Sequence, residues 1–424
     1  MTGLDTHQTI DAVWRIESPR LIAGLTRIVR DVGLAEDLAQ DALVAALEQW
    51  PESGVPDKPG AWLMATAKNR AIDRLRRNER LERKHEELGR ELAQQEMTMS
   101  DRNSPTNADV GDDLLRLMFI SCHPILAPEA RVALTLRLLA SLTTEEIARA
   151  FLVPVSTIAQ RVVRAKRTLT EARVPFEVPS GPELDARLTS VLQVIYLVFN
   201  EGYSATAGDD LIRAGLCEDA LRLGRILAGL APKEPEVQGL VALMEIQASR
   251  SRARVGPSGE MVLLLDQDRG RWDQLLIRRG LAALERAEKA GGALGPYALQ
   301  AAIAACHARA RTAAETDWAR IVALYDALAE LTPSAVVELN RAVAVGMAFG
   351  PAAGLELVNA LSSEPSLRSY HFLPSVRGDL LAKLGRPEEA RVEFERAATL
   401  TQNARERELL LGRAAACSRG ETAS

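Results

Sequence analysis

Thr143-Thr-Glu-Glu-Ile-Ala-Arg-Ala-Phe151 is followed by Leu152-Val-Pro-Val155 and then by Ser156-Thr-Ile-Ala-Gln-Arg-Val-Val-Arg-Ala-Lys-Arg-Thr-Leu169. This spacing predicts a helix, a short turn and a second helix. Thr143 with Glu146 forms the reciprocal capping pattern that opens the first. Ser156 is the expected N-cap of the second, because its hydroxyl can accept from a backbone N–H that has no helical partner. Ile147, Ala148, Ile158 and Val162 supply the core between the two. The second helix presents Ser156, Thr157, Gln160, Arg161 and Arg164 early. Hydroxyl, amide and guanidinium groups read base edges and phosphates when such a helix enters the major groove.

Upstream, residues 10–50 read as two or three helices. Within Leu34-Ala-Glu-Asp-Leu-Ala-Gln-Asp-Ala-Leu-Val-Ala-Ala-Leu47, the residues Leu34, Leu38, Ala42, Ala45 and Ala46 fall near one stripe. Glu36, Asp37, Gln40 and Asp41 are left for a polar face. Pro51, Gly54, Pro56, Pro59 and Gly60 predict a loop. A helix resumes at Ala61, with Leu63, Ala67, Ala71 (or Ile72) and Leu75 inward and Lys68, Arg70, Arg74, Arg76 and Arg77 mostly outward. Trp50 and Trp62 are expected in the core. Residues 85–112 are rich in Glu, Gln, Asn and Ser and predict a flexible, partly helical linker. Helical periodicity returns at Leu114, and the stretch from Pro128 to Arg173 breaks into three helices.

The net charge of −5 hides an uneven distribution. Residues 64–90 carry nine Lys/Arg against five Asp/Glu, and residues 149–173 carry six against one. Residues 1–60 are the reverse, with five basic and ten acidic groups. Two basic stripes separated by acidic surface are a footprint of phosphate binding beside a second, acidic contact face.

Three motifs together resemble a bacterial alternative sigma factor of the extracytoplasmic-function group, within the sigma-70 family. The first is Ala35-Glu-Asp-Leu-Ala-Gln-Asp-Ala42, the second Trp62-Leu63 with Ala67-Lys-Asn-Arg70 and Asp73-Arg-Leu-Arg-Arg77, the third the helix-turn-helix quoted above. The resemblance implies that Glu36, Asp37, Gln40 and Asp41 dock on core RNA polymerase at the coiled coil of the β′ clamp. It implies that Lys68, Asn69, Arg70, Asp73, Arg74, Arg76 and Arg77 engage the −10 element. It assigns Ser156, Thr157, Gln160, Arg161, Arg164, Lys166 and Arg167 to the −35 element, with the β flap as a second polymerase contact. Many members have glycine in the turn where this chain has Leu152, and a basic or polar contact residue where it has Ala159.

A minimal member would end near residue 175, but this chain of 424 residues continues past Pro175, Pro179 and Pro182. Tyr325 and Leu331 return 69 residues later as Phe394 and Leu400, two periods of about 34 residues. Gly378, Leu381, Gly385, Ala390, Phe394, Ala397 and Leu400 match the tetratricopeptide pattern, with weaker copies over Val336–Leu361 and around Ala220–Pro232. The expected fold is all-α. It comprises a first sigma domain over 1–84, the linker 85–112, a helix-turn-helix domain over 113–175, and a helical extension over 180–424 with repeats from about 302 to 410. Such repeats favour a protein or peptide partner on a concave surface. Two further stretches resemble signatures of the sigma subgroup with this extension. Asn200, Glu201, Gly202 and Tyr203 close a long apolar run, and Asp266, Asp268, Arg269 and Trp272 follow another. The acids with Arg269 suggest a buried ion-pair network at a domain junction.

No P-loop, GxSxG, HExxH or dinucleotide fingerprint is present, so no catalytic set, cofactor or metal is expected and the chain does not read as an enzyme. The four cysteines lack CxxC spacing, which argues against a disulfide framework or a zinc site. No apolar run approaches a membrane span, and the N-terminus lacks a signal-peptide pattern, so the expected location is cytoplasmic, with no membrane contact. Two functions remain at this stage. One is a promoter-specificity subunit whose extension regulates or supports it. The other is a polymerase-independent helix-turn-helix regulator with a ligand- or peptide-sensing repeat domain.

Overall fold

A computed structural model describes residues 3–87, 107–205, 207–208, 211–257, 259–291 and 293–419. Most of the expected linker, residues 88–106, lies outside them. The chain divides into two units, Met1–Val194 and Ile195–Ser424.

The first unit holds α1 (Gly3–Val29), α2 (Val32–Ser53), α3 (Pro59–Glu87), α4 (Asn107–Ser121), α5 (Pro128–Leu138), α6 (Thr144–Phe151) and α7 (Val155–Glu171). It also holds the start of α8 (Pro182–Tyr203). Alanines at Ala35, Ala39, Ala42, Ala45 and Ala46 let α2 lie close against its neighbours, with Leu38 and Trp50 filling the remaining space. Asp31 caps α2 by accepting from Leu34 N at 2.7 Å. The helix runs through Pro51, where a loop was expected. It stops at Gly54, whose φ of +83° is open to glycine and whose N–H donates to Trp50 O. Trp50 is buried and meets the half-buried Trp62 edge to face at 5.3 Å, which ties the end of α2 to the start of α3.

The second unit stacks α9 (Ala214–Leu230), α10 (Pro235–Ala248), α11 (Gln274–Lys289), α12 (Pro296–Arg309) and α13 (Trp318–Leu331). It continues with α14 (Ala335–Phe349), α15 (Pro351–Leu361), α16 (Phe372–Lys383), α17 (Pro387–Leu400) and α18 (Ala404–Ser418). The tetratricopeptide pattern has a direct cause at α16 and α17. A Cβ on Gly378 would meet the Phe394 ring at 2.9 Å, so only glycine permits that approach. Gly385, at φ +71°, makes the tight turn between the two helices. Leu381, Ala390, Phe394 and Ala397 are buried as expected, whereas Leu331 is exposed. Among the described residues the strands are two short ones, β1 (Ala207–Gly208) and β2 (Gln402–Asn403), paired in parallel. Buried Asn403 reinforces that pairing by donating from Nδ2 to Ala205 O at 3.0 Å.

Candidate nucleic-acid interface

The helix-turn-helix forms as its capping chemistry requires. Thr143 Oγ1 accepts from Glu146 N at 3.1 Å, and Glu146 Oε2 accepts from Thr143 N at 2.8 Å. Ile147 and Ala148 of α6 and Ile158, Val162 and Leu169 of α7 are buried. The turn is made by Leu152 in the left-handed conformation at φ +50°, where a side chain is strained. Leu152 N donates to Ala148 O and Arg149 O, and Val153 N to Ala148 O, so the end of α6 is hydrogen-bonded despite that strain. One expectation needs correction. The N-cap of α7 is Pro154, not Ser156, and no side chain caps that end. The proline ring already holds φ at −57°, so α7 starts at Val155 and Ser156 lies within its first turn, exposed.

On α7, Ser156, Gln160, Arg164 and Arg167 are exposed, and Thr157 and Arg161 half-buried. Arg167 pairs with Glu171 at 2.6 Å on the surface. Among the described residues no carboxylate lies within ion-pair distance of Arg161 or Arg164. Lys166 differs, because it turns away from the open face and pairs with Glu36 of α2.

On α3, Asn69, Asp73, Arg74 and Arg76 are exposed and Lys68 is half-buried. Arg70 reaches back to α2, donating to Asp41 O, with Asp41 Oδ1 at 3.9 Å. The side chain of Arg77 lies outside the described ones. On α2, Asp37 and Asp41 are exposed and Gln40 is half-buried. Glu36 is not on the outer polar face where helical spacing put it. Only 3% of it is exposed. Its Oε1 accepts from Arg137 Nε at 2.7 Å and from Gln40 Nε2 at 2.8 Å, and its Oε2 faces Lys166. Periodicity along one helix could not show this, because both cations come from helices a hundred or more residues away.

In the second unit, Asn200, Asp266 and Asp268 are exposed, and Glu201 pairs with Arg213. The expected ion-pair network of Asp266 and Asp268 with Arg269 does not form. Asp268 caps the following turn, accepting from Gly270 N at 2.8 Å. Arg269 points the other way and donates to His307 O, Ala310 O and Thr316 Oγ1, with Trp272 beneath its guanidinium at 4.9 Å. Backbone carbonyls replace the carboxylates, so the half-buried arginine is held without a carboxylate at ion-pair distance among the described residues. Tyr203 stacks on Phe199 and lies under Arg254 at 3.9 Å. It also accepts at its hydroxyl from Arg250 at 2.9 Å. Arg250 and Arg254 went unassigned in the sequence, although the basic run Arg250-Ser-Arg-Ala-Arg254 was the available signal. Burial first, then the charges of Arg250 and Arg269, push His307 down to about 4, so it stays neutral.

Comparison with known proteins fits this arrangement. The sigma-70 region 2 family matches residues 14–81, and the sigma-70 region 4 family matches residues 116–169. A family of unknown function, DUF6596, matches residues 187–288. An uncharacterised protein of Rhizobium meliloti is 44% identical over 389 residues, which is 92% of this chain and 91% of that protein. A Mycobacterium tuberculosis protein described as the probable ECF RNA polymerase sigma factor SigI is 27% identical over 176 residues, 41% of this chain and 59% of its own length. The RNA polymerase sigma-H factor of Pseudomonas aeruginosa is 28% identical over 161 residues, 37% of this chain and 82% of its own. No solved structure matches. The ordered pair of modules defines a sigma factor. The chain belongs to the sigma-70 family, as an extracytoplasmic-function member with a C-terminal helical extension. Among the described residues, no helix is long and apolar enough to cross a membrane, and no group of acids, histidines and cysteines could hold a metal.

Proposed function

We propose that this chain brings core RNA polymerase to two-element promoters. In this reading, α7 engages the −35 element through Ser156, Thr157, Gln160, Arg161, Arg164 and Arg167. The outer side of α3, from Lys68 to Arg77, engages the −10 element. Asp37 and Asp41 on α2 dock on the β′ clamp coiled coil, and the helix-turn-helix module also meets the β flap. The observation that carries this reading is the outer face of α7. Its polar and cationic side chains are mostly open while Ile158, Val162 and Leu169 are buried on the opposite side. Half-buried Arg161 and exposed Arg164, without local carboxylates, are suited to phosphates and base edges. The second unit regulates or supports this activity and offers a surface to a protein or peptide.

The test is run-off transcription with core enzyme and the full chain on promoters selected by that holoenzyme. The expected result is a product that needs this chain and no other sigma factor. Product that still depends on a different sigma factor overturns the reading. Gel shifts separate the alternative, since a polymerase-independent regulator would bind specific duplex as tightly without core enzyme as with it.

A further inference from the structure

We propose that the second unit holds a binding site for a small phosphorylated ligand, in a cavity of about 590 Å³ lined by Ser251, Arg252, Val255, Arg271, Trp272 and Asp273. A space of that size takes a small molecule rather than a bare ion. Two short turns build it, Ser251–Ala253 and Arg269–Arg271, and they are tied together where Asp273 N donates to Ser249 O at 2.9 Å. Both turns divide their arginines in the same way. Arg250 and Arg254 are buried and Arg269 is half-buried, whereas Arg252 and Arg271 are exposed and line the cavity. The inner three bind the fold itself. Arg250 donates to the Tyr203 hydroxyl, Arg254 to Tyr203 O, and Arg269 to His307 O and Ala310 O. The Trp272 ring lies 5.8 Å from Arg250 and 4.9 Å from Arg269. These contacts fix the two turns, and with them the positions of Arg252 and Arg271.

Charge supplies the class of ligand. Among the described residues no carboxylate lies within ion-pair distance of any of these five arginines. The acids at hand are engaged by backbone: Asp273 accepts from Leu275 N and Leu276 N at the start of α11, and Asp268 from Gly270 N. Burial first, then the charge of Arg250, holds Arg269 below the usual arginine value. Cations gathered in this way repel one another, and an anion entering the cavity relieves that repulsion. Hydrogen-bond donors are left over as well. The indole N–H of Trp272, in the cavity wall, and Nε of Arg250 beside it are buried without an acceptor among the described residues. A buried donor left unpaired costs stability, so the place is suited to a group rich in acceptors. Two free guanidinium forks match the several oxygens of a phosphoryl group.

The site stands on the second unit alone and is independent of the sigma-factor reading, which run-off transcription tests separately. The experiment is calorimetric titration of the full chain with inorganic pyrophosphate in a constant chloride background. Saturable binding at a single site is expected, and R252Q/R271Q should weaken it about tenfold. Arg279→Gln removes an exposed charge that does not line the cavity, and should change the affinity less than about twofold. The wild-type chain gives a second readout that needs no variant. Phenylglyoxal modification, followed by peptide mass spectrometry, should be slowed by pyrophosphate at Arg252 and Arg271 but not at Arg279. No saturable binding, an equal loss in Arg279→Gln, or protection spread evenly over the three arginines overturns the site. A duplex of unrelated sequence provides the last arm. If the duplex loses affinity in R252Q/R271Q while pyrophosphate does not bind, these arginines serve nucleic acid and the small-ligand site is overturned.

Discussion

His307 carries an acid sensitivity that its position among Arg250 and Arg269 creates. Its folded-state value is about 4 against an ordinary 6.5, so below pH 6.5 the unfolded chain binds the extra proton more readily. The stabilisation from keeping it neutral is complete above pH 6.5 and is lost as pH falls toward about 4, a total of about 3 kcal/mol. Urea midpoints should therefore drop across that window, and His307→Leu should flatten the drop; an equally steep profile in the variant would assign it elsewhere. Gly378 sets two effects against each other. Alanine would gain about 0.5–1 kcal/mol in helix propensity. A Cβ 2.9 Å from the Phe394 ring costs about 1–3 kcal/mol in overpacking. Gly378→Ala should therefore lower stability by about 1–2 kcal/mol in urea unfolding. The glycine was legible as part of a repeat. His307 was not, because arginines from two other segments set its environment.

At the scale of elements, the helix-turn-helix was legible nearly whole, since caps and apolar spacing are local properties of the chain. Its two irregular points have local causes as well. Pro154 starts α7 without a side-chain cap, and Leu152 turns the chain in a conformation that suits glycine. Leu152 is 55% exposed, so little burial is lost on truncating it. Leu152→Gly should raise stability by about 0.5–1 kcal/mol, after the greater freedom of glycine in the unfolded chain is counted. Thermal unfolding checks this, and a loss would mean that the side chain packs more than its exposure suggests. The open face of α7 makes a separate prediction. Arg161→Ala with Arg164→Ala should weaken promoter binding by the holoenzyme and reduce the slope of log K against log salt by about 2, one for each lost phosphate contact. An unchanged slope would place those contacts on other residues.

Across the whole molecule, the first unit extends to Val194, inside α8. The beginning of α8 closes the end of α4 and the loop after it. Arg187 donates to Phe119 O at 3.0 Å, Ser190 to Cys122 O at 2.5 Å, and Arg131 to Ser190 Oγ at 2.6 Å. A chain cut at residue 180 should thus be less stable than one cut after Val194 by about 2–4 kcal/mol, roughly one per lost hydrogen bond. Urea unfolding of the two truncations measures it, and equal midpoints would show these bonds to be dispensable. Transcription by the longer truncation then reports on the second unit alone, with gain meaning inhibition and loss meaning a positive role. The sequence by itself determined the all-α class, the order of the two sigma modules, the helix-turn-helix and the glycine-and-phenylalanine repeat. The class, the helix-turn-helix and the repeat follow from periodicity, capping or turn chemistry, and the order of the modules from the resemblance of their motifs to the family. The tertiary structure alone decided that Glu36 faces Lys166 and Arg137, that Arg269 binds carbonyls while Asp266 and Asp268 stay exposed, and that α8 closes the first unit. Those choices depend on which distant groups share a low-dielectric interior, where a charge takes whatever partner the packing brings within reach.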